Sequence, residues 1–202
     1  MPSSHCEDER LSLQILVCED EGLTTLRLRR SLEALGHHVV AEAADGEAAV
    51  ALAGEHHPDV ILMDIRMPKM DGVQATRAIM SARPTAIVIV SAFSDRELID
   101  AAVDAGASNY LVKPVSDEQL GPAIALAHRR FQQFQELGRE VDGLRHALEA
   151  RKLVERAKGI LMDRLTLSEA DAFRRLQSAS RDRRQPLVDT ARQVIDAASL
   201  LG

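Results

Sequence analysis

The chain has 202 residues, 46% hydrophobic and 28% charged, which is room for one large domain or two small ones at roughly 100–200 residues each and excludes wholesale disorder. No apolar run approaches the ~20 residues that span a bilayer, the opening MPSSHCEDER lacks the apolar core of a signal peptide, and two distant cysteines, Cys6 and Cys18, make no disulfide framework. Residues 1–128 hold 10 basic against 20 acidic side chains, whereas residues 129–202 hold 15 against 11, so the second part is the better candidate for meeting a polyanion. A cytoplasmic protein without membrane contact is expected.

Residues 1–12 read as a disordered tail. From residue 13 the chain alternates short apolar, β-branched runs (Leu13–Cys18, His38–Ala43, Val60–Met63, Ala86–Val90 and Tyr110–Val112) with helical patterns at Thr24–Leu35, Gly46–His56, Gly72–Ala82 and Asp95–Ala105. Gly36 and Gly106 stand where helices stop, and Asp95 where one is capped. The runs ILV, VILM and AIVIV do not alternate with polar residues, as expected of parallel strands covered on both faces. Five strands separated by helices predict an α/β, doubly wound parallel sheet, whose chemistry collects beyond the carboxyl ends of the strands.

From Asp117 the pattern is helical without strands. Apolar residues at Ile124, Ala127, Phe131, Phe134, Leu137, Val141, Leu144 and Leu148 keep three-four spacing with one skip after Phe134, a coiled-coil-like seam over a linker at 129–150. Gly138 and Gly143 weaken that helix by about 1 kcal/mol each relative to Ala. Three further helical segments, Leu153–Arg164, Ser168–Ser180 and Leu187–Leu200, predict a small all-α domain at 151–202. Ser168 with Asp171 forms a variant capping box, and Pro186 suits a first turn.

The polar residues at the strand ends assemble a pocket. Glu19 and Asp20 follow the first strand, Asp64 the third, Ser91 the fourth and Lys113 the fifth. Three carboxylates in one pocket repel one another. With one lysine, a single divalent cation brings the formal charge to zero, and Mg2+ fits because it takes oxygen ligands and keeps several waters. A carboxylate beside such a cation can attack a phosphoryl group, with a lysine and a hydroxyl stabilising the transition state. The paired histidines at 37–38 and 56–57 sit at helix ends, where imidazolium suits the dipole better than a metal site is needed. Cys18 reads as a small buried hydrophobe.

The last three helical segments carry apolar stripes, Ala172, Phe173, Leu176 and Ala179 on the second, that can share one core and leave a basic rim of Lys158, Arg174, Arg175, Arg181, Arg183 and Arg184. Charged helix faces are more often solvated than functional. With Phe173 expected in the core, no aromatic is left for stacking on single-stranded bases, so phosphate and shape reading of a structured hairpin remains. No nucleophile–base pair or glycine-rich phosphate loop follows residue 117, so no enzymatic output is expected.

The motifs ILVCEDE at 15–21, DVILMDIRMPKMDG at 59–72, IVIVSAFSD at 87–95 and GASNYLVKP at 106–114 make residues 13–128 resemble a two-component response-regulator receiver domain. The resemblance implies Asp64 as phospho-acceptor, and Mg2+ held by Asp20, Asp64 and the backbone carbonyl of Arg66, with Glu19 acting through metal-bound water. It further implies that Lys113 contacts the phosphoryl group, that Ser91 and Tyr110 are the switch pair, that the Lys113–Pro114 peptide is cis, and that a sensor histidine kinase is the partner. AKGILM and AFRRL make about 135–197 resemble the ANTAR output domain, a family that binds RNA stem-loops and prevents transcription termination. On that likeness Lys158, Gly159, Arg174, Arg175, Ser178 and Arg183 are the candidate RNA contacts. Phosphorylation is expected to change either the pairing of two copies through the linker helix or the posture of that helix. A DNA-binding or a protein-sequestering helical output stands as the alternative.

Overall fold

The computed structural model describes residues 12–92 and 96–200, in two compact units that divide between Phe134 and Gln135. In the first unit β1 (Gln14–Cys18), β2 (His38–Ala43), β3 (Val60–Met63), β4 (Ala86–Ser91) and β5 (Asn109–Val112) form one parallel sheet in the order β2-β1-β3-β4-β5. The helices between them are α1 (Gly22–Ala34), α2 (Gly46–His56), α3 (Gly72–Ala82) and α4 (Arg96–Asp104). This is the doubly wound sheet expected from the strand spacing.

The non-alternating strand sequences have a direct cause in the two cores. Odd-numbered β1 residues Ile15 and Val17, with Val60, Leu62, Val88 and Val90, pack under α1 (Leu28, Leu32) and the start of the following helix (Leu120, Ile124, Ala127). Even-numbered Leu16 and Cys18, with Ile61, Met63, Ile87 and Ile89, pack under Ala49, Ala53, Ala75, Ile79 and Ala102 of α2, α3 and α4. Each strand is apolar on both faces because each face carries helices. Cys18 is buried as expected, and burial pushes its thiol well above the ordinary thiol range.

Gly36 and Gly106 take φ of +88° and +102° where α1 and α4 stop, which is the reason glycine stands at those two positions. His56 ends α2 and His57 is its left-handed C-cap, while the His37 ring accepts the Leu13 N–H at 3.4 Å. The Asp95 cap, Cys6 and residues 1–11 of the expected tail lie outside the described residues.

One boundary differs from expectation. The linker and the first segment of the C-terminal part are not separate helices but one, α5 (Asp117–Leu165). Between Ala150 and Leu153 the sequence offers only Arg and Lys, both good helix formers, and neither Gly138 nor Gly143 costs enough to stop an established helix. In the second unit the end of α5 packs with α6 (Glu169–Asp182) and α7 (Leu187–Leu200) around Ala157, Leu176, Ala191 and Ile195. Ser168 caps α6 by accepting the Asp171 N–H at 3.2 Å, as its sequence position implies. Pro186 stands just ahead of α7 and supplies the carbonyl to which Asp189 and Thr190 donate.

Candidate functional site

The strand order reverses between β1 and β3: the chain leaves β1 outward to β2, then crosses back to β3. A crevice opens at the carboxyl ends of those two strands. Glu19 and Asp20 follow β1 there, and Asp64 follows β3. One carboxylate oxygen from each lies within 4.8 Å of one from each of the others, with Glu19 and Asp64 buried and Asp20 exposed. Lys113, directly after β5, reaches across the neighbouring strand end. Its Nζ is 2.5 Å from Glu19 Oε2 and 3.4 Å from Asp64 Oδ2. Ser91, buried, is the last residue of β4 rather than the residue after it, and its carbonyl accepts the Lys113 N–H at 2.8 Å. The structure thus brings the Glu19, Asp20 and Asp64 carboxylates together with the Lys113 ammonium, and sets Ser91 beside Lys113 through its backbone carbonyl. The Lys113–Pro114 peptide is cis.

Burial holds both the Glu19 and the Asp64 carboxyl above the ordinary carboxylate range, opposed in each case by Lys113. Asp64 is oriented by the Ile65 N–H, which donates to Oδ1 at 2.9 Å. Three carboxylates and one lysine leave two uncancelled negative charges, and the exposed Asp20 leaves one side of the group open to water. That donor set is the one Mg2+ takes: hard oxygens, a matching charge and room for water ligands. Tyr110, on β5 beside Ile89 of β4, packs partly buried against the core cluster under α2, α3 and α4.

The loop that carries Asp64 into α3 is built on close backbone approaches that the motif reading passes over. A Cβ on Gly72 would lie 1.9 Å from the Asp64 carbonyl oxygen, and one on Gly46 would lie 2.3 Å from the Met70 carbonyl oxygen. Lys69 sits in that loop at φ +62°, and its ammonium pairs with Asp45 at 2.7 Å. Asp45 also caps α2 by accepting the Ala48 N–H, so one side chain ties the α2 start to the Asp64 loop. The paired Asp-Gly steps at 45–46 and 71–72, each an N-cap followed by a glycine without room for a side chain, are the sequence signal for this arrangement. Asp142–Gly143 is the same dipeptide inside a helix with nothing near it, so the signal alone is ambiguous.

In the second unit the candidate contacts divide. Arg174, Arg175 and Ser178 are exposed or half-buried on α6, and Arg174, Ser178 and Arg181 follow one another at helical spacing opposite the buried Ala172 and Leu176. Arg183 is the C-cap of α6 and bonds Gln193. Gly159 is half-buried on α5, with open space where a side chain would stand.

Two expectations are corrected. Lys158 is not part of an exposed rim: its side chain is 9% exposed and its ammonium pairs with Glu155 at 2.8 Å and Glu169 at 2.7 Å. Phe173 is not in the core cluster but partly exposed, with the Lys158 ammonium 5.8 Å from its ring centre. Both follow from one fact: α6 turns its Glu169–Phe173 edge toward α5, and a lysine there finds two carboxylates and an aromatic face within reach.

No helix among the described residues is long and apolar enough to cross a membrane. Residues 15–125 match the family described as response regulator receiver domain, and residues 142–195 the ANTAR domain. The transcriptional regulatory protein PdtaR of Mycobacterium tuberculosis is 44% identical over 189 residues, covering 94% of this chain and 92% of the relative. The chemotaxis protein CheY of Bacillus subtilis is 36% identical over 112 residues, 55% of this chain and 93% of its own length. The signal receiver domain of the putative response regulator NarL from M. tuberculosis superposes with a TM-score of 0.57 at 33% identity, over 58% of this chain and 97% of that domain. A chain of the CheX–CheY–BeF3–Mg2+ complex of Borrelia burgdorferi gives a TM-score of 0.54 at 28% identity, over 55% of this chain and 85% of that one. The chain therefore belongs to the transcriptional response regulators that join an N-terminal receiver domain to a C-terminal ANTAR domain.

Proposed function

We propose that this protein is a phosphorylation-switched RNA-binding antiterminator, and the observation that carries the reading is the Glu19–Asp20–Asp64 cluster spanned by Lys113. Asp64 accepts a phosphoryl group from the histidine of a partner sensor kinase: its carboxylate oxygen bonds to phosphorus as the kinase imidazole leaves. Asp20, Asp64 and the Arg66 carbonyl would hold Mg2+, with Glu19 acting through a water between it and the ion, and the ion would supply positive charge to the phosphoryl oxygens. Lys113 neutralises a further oxygen, exchanging part of its pairing with Glu19 for the phosphoryl group. The Ser91 hydroxyl turns toward the same oxygens and Tyr110 follows it inward, which makes the two phosphorylation states differ at β4 and β5. In this reading residues 1–12 are a tail, 13–128 the receiver domain, 129–150 the linker and 151–202 the output.

The output reads RNA through Arg174, Arg175, Ser178 and Arg183 with the backbone at Gly159. Arginines on a helix face, with Phe173, the one aromatic side chain of the second unit, partly exposed but facing the Lys158 ammonium at 5.8 Å, favour phosphate and shape recognition of a paired stem-loop over base stacking. The full-length protein with beryllofluoride and Mg2+ binds an RNA hairpin more tightly than duplex DNA of matching sequence, and more tightly than without beryllofluoride. Binding that is equal for both polymers and indifferent to beryllofluoride rejects this output and favours a protein partner; tighter duplex binding favours a DNA-reading output.

Phosphorylation also pairs two copies through α5. Leu137, Val141, Leu144 and Leu148 are each 47–65% exposed at alternating four- and three-residue steps. In a parallel pairing on that seam Glu140 and Arg145 take the flanking positions that face each other across the two helices. Leu144→Glu puts a charge in the middle of the seam. It keeps the protein monomeric by sedimentation in the presence of beryllofluoride, where the wild type dimerises; equal mass in both rejects the seam as the interface.

A further inference from the structure

Lys158 is the only buried lysine or arginine among the described residues, and it is one of the RNA contacts that the ANTAR likeness implies. Its surroundings point elsewhere. An ammonium has three protons to donate. The two Glu155 oxygens lie 3.0 and 2.8 Å from Lys158 Nζ, and Glu169 Oε1 lies 2.7 Å from it, so the carboxylates take all three. The Phe173 ring covers the ammonium at 5.8 Å. Two carboxylates around one ammonium leave the group with a net negative charge, which repels a phosphate rather than binding it.

Glu155 is on α5, one turn before Lys158, whereas Glu169 and Phe173 are on α6. The ammonium therefore joins the two helices at the start of α6. The same helix presents Arg174, Ser178 and Arg181 on its outer face. We infer that Lys158 is a positioning residue: through Glu169 and Phe173 it sets how α6 lies on α5, and thereby where the α6 arginines stand, without touching RNA itself. The inference rests on the RNA-binding reading above.

The test uses the full-length protein, beryllofluoride and Mg2+, and a pool of RNA hairpins with randomised loops, with affinity measured by fluorescence anisotropy across a salt series. Lys158→Met is expected to weaken binding about tenfold, which corresponds to about 1.4 kcal/mol. The slope of log affinity against log salt stays that of the wild type. Arg175→Ala, a contact residue, instead lowers that slope by about 1. The double variant Lys158→Glu with Glu169→Lys keeps two acids and one lysine in the cluster, and is expected to recover affinity that either single exchange loses.

A slope lowered by about 1 in Lys158→Met, or a double exchange no better than the single ones, overturns the inference in favour of a direct phosphate contact. If the wild type fails to bind the hairpins, the RNA reading fails, and the clamp is then judged by thermal melting followed through circular dichroism. Recovery of the melting temperature in the double exchange supports the α5–α6 clamp, and melting losses that simply add reject it.

Discussion

The full-length protein carrying Asp64→Asn will take up no phosphoryl group from acetyl phosphate or from a kinase, a loss of roughly a thousandfold or more, as expected when a nucleophile is removed. An amide oxygen is a poor nucleophile and cannot hold the acyl phosphate. Label retained at wild-type level would place the acceptor elsewhere, and phosphate-dependent RNA binding that persists in the variant would sink the proposed switch. The variant is also expected to remain folded. Burial raises the Asp64 carboxyl above its ordinary value, so the native state holds that proton more tightly than the unfolded chain does. Ionisation of Asp64 therefore costs the metal-free wild type stability as the pH rises through and above the ordinary carboxylate range. A neutral amide in its place carries no such cost, so the variant melts at or above the wild type near neutral pH, and the difference closes as the pH falls below the carboxylate range. Mg2+ raises the melting temperature of the wild type more than that of the variant, because the variant has lost one of the three clustered carboxylates.

Gly72→Ala will destabilise the receiver unit by about 3 kcal/mol or more, a drop in melting temperature of about 10 °C or more. The new Cβ would stand 1.9 Å from the Asp64 carbonyl oxygen, 2.8 Å from its carbonyl carbon and 3.0 Å from Ile65 Cα. All three are backbone atoms, so no side chain can rotate away. The strain must move either α3 or Asp64 itself, so under the proposed function phosphorylation is expected to fall along with stability. Gly138→Ala is the matched control: nothing lies within 4 Å of its added Cβ, and a mid-helix glycine gives up about 1 kcal/mol relative to alanine, so that variant melts at or above the wild type. A Gly72→Ala protein that melts like the wild type would show that the loop after Asp64 is looser than its contacts imply.

The candidate residues of the two units differ in how far a linear reading can reach them. Asp64 and Lys113 are 49 residues apart in the chain, yet strand ends in a parallel sheet all open to one edge, so their shared edge follows from the strand pattern, and the order β3-β4-β5 brings them within reach. Lys158 lies in a helical unit, where no such rule says which side of α5 meets α6. Its spacing fits an exposed rim and an inter-helix clamp equally well, and the Glu169 carboxylate that decides between them comes from the next helix.

Periodicity and end chemistry thus determined the doubly wound sheet, the pocket at the strand ends, the Ser168 cap and the absence of strands among the described residues after Asp117. Those properties are local, or are propagated along a regular lattice by hydrogen-bond geometry. Packing between elements decided the rest. It placed Gly72 against the Asp64 carbonyl, tied Lys69 to the Asp45 cap, left Phe173 half-buried beneath an ammonium, and buried Lys158 between two acids. Such contacts depend on how two helices or two loops approach one another, and that approach is set by the sum of many side-chain volumes rather than by any residue's own preference.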